Sequence, residues 1–109
     1  MSMPVRRGLV GSPRDYLAAE GAWPAGPYRT GTPSAVYYAA HIATQLSGAI
    51  TGAGLTHTEA SRRLEIGRPT LYNILSGKTF PDLHTLAKAE DAFPGLRVWP
   101  DRDGDFMPE

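Results

Sequence analysis

Between residues 56 and 78 the chain carries side chains suited to hydrogen bonding with planar heterocycles and with a polyanion. The guanidinium of Arg68 is a planar fork that matches guanine O6 and N7, and the amide of Asn73 matches the donor–acceptor pair of adenine. Thr70 and Pro69 can present methyl or ring carbons to a thymine methyl. At helical spacing Arg68, Pro69, Tyr72, Asn73 and Ser76 fall on one side, while Leu71, Ile74 and Leu75 fall on the other. Two groups of residues flank that face. Thr56, His57 and Thr58 stand where a preceding helix would begin, and a helix start offers free N–H groups and partial positive charge to a phosphate. Tyr72, Ser76, the Gly77 amide and Lys78 stand at the far end and could grip the other strand.

Two short helices must position these groups. Thr56 with Glu59 three residues later forms a capping box and predicts a helix over 57–64. After a break at Glu65-Ile66-Gly67, a second helix starts at Arg68, with Pro69 in its first turn where a missing N–H costs nothing. Gly77 can close it in the left-handed conformation. This is the pattern of a helix-turn-helix.

On Leu55-Thr56, His57, Glu59, Ser61, Leu64, Glu65, Arg68, Thr70, Leu71, Ile74, Gly77-Lys78 and Pro81, the stretch resembles the Cro/repressor (XRE-type) helix-turn-helix family. With flanking helices the resemblance spans residues 36–93. It implies an all-α, compact, lambda-repressor-like domain of four to five helices. It further implies that Arg68, Pro69, Thr70 and Asn73 read bases of double-stranded DNA. Two positions depart from the family pattern. Glu65 replaces the usual turn glycine, and a Cβ disfavours the left-handed conformation, so a differently shaped turn is expected. Ile50 and Leu75 stand where many members pair Arg with Glu; an apolar pair requires no charge to be desolvated.

Around this centre, residues 1–33 read as an irregular N-terminal extension. Within it Ser12-Pro13, Asp15 and Gly21 predict a short helix over 12–20, with Tyr16 and Leu17 as its anchors. The Pro- and Gly-rich 22–33 reads as a loop whose Trp23 and Tyr28 lie on the domain or on a partner. Residues 34–95 form the helix-turn-helix domain. Its first helix, from Ser34 to about Thr51, places Val36, Ala39, Ala40, Ala43, Leu46 and Ile50 at core spacing. No Lys, Arg, Asp or Glu occurs between Thr30 and Thr58, so this helix is expected to be contacted on more than one side. A last helix, Leu83 to Phe93, is capped by Asp82 and buries Leu83, Leu86, Ala87 and Phe93. Residues 96–109 read as an extended segment, Leu96 to Trp99, followed by an acidic tail.

The chain has 109 residues, no cysteine and a net charge of zero. Disulfides and thiolate metal sites are thereby excluded. Charge is uneven: residues 1–54 and 55–88 each carry +2, and residues 89–109 carry −4. The mild positive excess over the central stretch permits DNA binding. His41, His57 and His84 lack metal-ligand spacing, and no phosphate loop or nucleophile elbow occurs; no enzyme activity and no cofactor are expected. Without a leader or sustained apolar run, a cytoplasmic protein with no membrane association is expected. The expected function is a transcriptional regulator, a repressor, acting as a homodimer through the uncharged first helix or the C-terminal segment. A monomer whose Arg6 and Arg7 enter the minor groove is the other arrangement. The competing reading is a helix-turn-helix that serves as a protein-interaction module or antitoxin-like adaptor.

Overall fold

The computed structural model describes residues 11–99; the Arg6/Arg7 arm and the acidic 101–109 tail lie outside them. Among the described residues four α-helices follow a 3-10 turn and a small hairpin: Pro13–Tyr16, β1 Leu17–Ala22, β2 Gly26–Tyr28, α1 Ser34–Gly52, α2 His57–Leu64, α3 Arg68–Leu75 and α4 Leu83–Ala92. Among the described residues no helix is long and apolar enough to cross a membrane.

The hairpin corrects the expectation of an all-α chain with an irregular extension. β1 and β2 pair antiparallel, with Leu17 opposite Tyr28 and Ala22 opposite Gly26, and the register shifts between those pairs. The predicted helix over 12–20 stops after one turn. Its start signal is real, since the Ser12 amide donates to the Asp15 carboxylate at 2.9 Å. A helix of two turns cannot hold itself in water, however, and here the chain finds better partners in extended form. The Arg29 amide donates to the Tyr16 carbonyl at 2.9 Å, which sets the strand exit. Gly21 passes so close to the opposite strand that a Cβ would meet the Pro27 carbonyl oxygen. Tyr28 donates from its hydroxyl to the Pro24 carbonyl at 2.6 Å and meets Trp23 and Tyr37 edge to face. Burial, and then the neighbouring Tyr37, push this phenol up to about 12, so it keeps its proton.

α1 is the central element. Val36, Ala39, Ala40, Ile42, Ala43, Leu46 and Ile50 are buried. Its lack of charge follows from having neighbours on several sides: the 3-10 turn, α3 and the C-terminal segment. That segment is fastened by the Arg97 carbonyl to His41 Nε2 at 2.6 Å and covers the core with Val98. Ile42, Leu46, Leu64, Leu71, Leu86 and Phe93 form the heart of the core. Two residues assigned to it from sequence lie outside. Leu83 is 71% exposed and Ala87 is exposed, because the Asp82 cap fixes the helix rotation with Thr85, Leu86 and Ala89 inward. Thr85 donates its amide to Asp82 Oδ1 at 2.7 Å.

Three helix ends close in the same way. At α1, Gly54 bonds back to Thr51 and Leu55 to Ile50; at α2, Glu65 to Arg62 and Ile66 to Ser61; at α3, Gly77 to Ile74 and Lys78 to Asn73. Each is a Schellman closure, which needs a left-handed residue at the turn. Gly54 and Gly77 supply it with φ of +70° and +78°.

Candidate nucleic-acid interface

α2 and α3 are eight residues each and are joined by Glu65-Ile66-Gly67. The turn does not change shape to spare Glu65. This residue takes φ 59°, ψ 41°, a conformation that costs a side-chain-bearing residue about 1–2 kcal/mol. Neighbouring contacts offset that cost. The Glu65 carbonyl accepts from Lys88 Nζ at 2.9 Å, and Ile66 packs on the core. The turn geometry that the family resemblance associates with glycine is therefore held by α4 through Lys88.

The capping box forms as expected: the Glu59 amide donates to Thr56 Oγ1 at 3.1 Å and the Thr56 amide to Glu59 Oε1 at 2.8 Å. This has a consequence for phosphate binding. The Thr56 amide is already used, and a carboxylate sits at the helix start, so the available donors there are the first-turn amides of His57 and Thr58. His57 is exposed and Thr58 half-buried.

α3 is anchored from behind by Leu71 and Ile74, both buried, with Leu75 half-buried against the same core. Arg68, Pro69, Thr70 and Tyr72 are exposed, and Asn73 and Ser76 are half-buried. Arg68, Pro69, Tyr72 and His57 line one open depression of about 500 Å³, which brings the α2 start and the α3 face together. Lys78 lies over the Tyr72 ring, its Nζ 5.0 Å from the centroid. Ser76 donates its hydroxyl to the Tyr72 carbonyl at 2.8 Å.

Gly77 does not fit the role expected for it. It is buried, its amide donates inward to the Ile74 carbonyl at 3.3 Å, and Trp23 lies on it. A Cβ at Gly77 would stand 2.6 Å from the Trp23 ring, and Trp23 Nε1 donates to the Leu75 carbonyl at 3.0 Å. The Arg14 amide donates to the Gly77 carbonyl at 3.0 Å. The hairpin thus ties down the C-terminal end of α3 and leaves its outward face open. Trp23 has its place on the domain itself; a large aromatic in a Pro/Gly segment was the signal for it. Arg63, exposed on α2, donates from Nε to the Ala92 carbonyl at 3.1 Å and lies over the Phe93 ring at 4.7 Å.

A second exposed feature lies away from this face. An apolar groove of about 270 Å³ runs between α1, the loop at Phe80-Pro81, α4 and the C-terminal segment, flanked by exposed Leu83 and Trp99. Trp99 meets Tyr38 edge to face at 6.2 Å. Comparison with protein-family models, with curated proteins and with solved structures finds no match for the chain.

Proposed function

We propose that the chain is a sequence-specific DNA-binding regulator, a repressor of the Cro/repressor helix-turn-helix kind, which reads the major groove with α3. The observation that carries this reading is the division of α3. Leu71 and Ile74 fix the helix to the core, while Arg68, Pro69, Thr70 and Tyr72 are exposed. Arg68 opens the helix, where side chains of a recognition helix approach base edges most closely. In this reading Arg68, Pro69, Thr70 and Asn73 contact bases. His57, Thr58, Tyr72, Ser76 and Lys78 contact phosphates, with the Thr56 hydroxyl beside them. Two copies on half-sites about one DNA turn apart would supply the affinity that one motif lacks. The groove between α1 and Trp99 is where the second copy would seat, since it is lined by both the first helix and the C-terminal segment.

The test is selection of bound duplexes from a random library by the full chain, followed by competition with the Arg68→Ala variant. Loss of this bidentate contact costs about 1–3 kcal/mol at one base position. A variant that keeps the wild-type base preference would refute the assignment. A second reading, a protein-interaction module or antitoxin-like adaptor, is favoured by the Glu59 carboxylate at the α2 start and by exposed Leu83 and Trp99. Salt dependence separates the two. Each neutralised phosphate contributes about −0.9 to the slope of log K against log salt, whereas a protein partner gives a nearly flat line.

A further inference from the structure

The geometry points to an additional phosphodiester-binding site, formed by Arg14 of the N-terminal turn together with Lys78, which extends the DNA interface past the end of α3. This inference rests on the DNA-binding reading above. Three observations support it. First, the turn is held in a fixed place. Pro13 is buried, the Arg14 amide donates to the Gly77 carbonyl at 3.0 Å, and Trp23 grips the same helix end through the Leu75 carbonyl. The Arg14 backbone therefore lies beside the Gly77–Lys78 step, although 64 positions separate Arg14 from Lys78 in the chain. Second, the Arg14 side chain is exposed, and among the described residues its guanidinium has no carboxylate partner. The nearest acid in sequence, Asp15, is directed to the Ser12 amide at 2.9 Å. A second cation, Arg29, is held on the same turn, its Nη2 donating to the Asp15 carbonyl at 2.8 Å. Third, Lys78 continues the α3 face. Lys78 lies over Tyr72, and Tyr72 lines the depression that holds Arg68. An eight-residue helix is about 12 Å long, the scale of the major-groove width, so a helix seated at Arg68 brings its far end to the flanking backbone.

An arginine fork suits a phosphodiester because two N–H groups can meet two non-bridging oxygens at once. Such a contact positions the protein and carries no base preference. Binding of the full chain to its selected duplex would be measured against NaCl for wild type, Arg14→Ala, Arg14→Lys and Lys78→Ala. Arg14→Ala should flatten the salt slope by about 0.9, equally for matched and mismatched duplexes, and Arg14→Lys should retain the slope. Phosphate ethylation interference should lose its outermost position in Arg14→Ala. If Arg14→Ala binds DNA with an unchanged slope, the site is refuted while the DNA reading stands. The site is refuted equally if affinity falls only together with the melting temperature and the slope does not move. A wild-type chain that captures no duplex refutes both.

Discussion

Replacing Gly77 with alanine should cost more than any backbone preference explains, and the excess should vanish when Trp23 is removed. Two terms contribute. At φ +78° a Cβ is intrinsically unfavourable by about 1–2 kcal/mol. The same Cβ would also stand 2.6 Å from two Trp23 ring atoms and 3.0 Å from a third, well inside contact distance. Overpacking of this kind costs about 1–3 kcal/mol. Gly77→Ala should therefore lose about 2–5 kcal/mol, a large part of the roughly 5–15 kcal/mol that stabilises a small domain. In a Trp23→Ala background the clash is gone, and the same change should cost only the conformational term of about 1–2 kcal/mol. Urea unfolding followed by far-UV circular dichroism, on the four proteins of a double-mutant cycle, measures the difference directly. A cost that is equal in both backgrounds, within about 0.3–0.5 kcal/mol, would refute the claim that the hairpin sits on the end of α3.

Thr56→Ala removes the α2 cap and should lower stability by about 0.5–2 kcal/mol in the same assay. Asp82 is held below the ordinary value of 3.8, first by the Thr85 amide and then by the Thr85 side chain. A depressed carboxyl stabilises the fold fully above its unfolded value and loses that contribution as pH falls through the folded one. Thermal melts from neutral pH into acid should thus show a shallower acid limb for Asp82→Asn than for wild type. If the groove flanked by Leu83 and Trp99 seats a second copy, Leu83→Ser, at a position 71% exposed, should shift sedimentation to the monomer while leaving the melting curve of the dilute protein intact.

The α2–α3 unit was legible because its signals are local. Thr56 with Glu59, Pro69 near the start of α3 and Gly77 after its end each act within one turn of chain, and the observed bounds follow them. What escaped the sequence depends on partners far away. Ser12, Pro13 and Asp15 do start a helical turn, yet whether it continues is decided by Tyr28, Arg29 and a tryptophan docked 52 residues away. Glu65 carries a genuine local penalty, and the lysine reaching it from α4, with Ile66 packed on the core, helps the left-handed turn persist. Leu83 is misplaced by periodicity for a related reason: a pattern gives the spacing of a helix face, while its rotation is set by the cap and by what lies beneath. In the candidate interface the residue types could be read off directly, but the use of the Thr56 and Gly77 amides inside the fold could not.

The hairpin's grip on α3 also bears on how the protein could be dissected. A fragment begun at Ser34 to isolate the helices would strip the Leu75 and Gly77 carbonyls of the Trp23 and Arg14 donors and uncover the glycine beneath the indole. The N-terminal turn, the hairpin and the end of α3 are thus joined by these contacts, and a minimal version of this protein should begin upstream of the 3-10 turn.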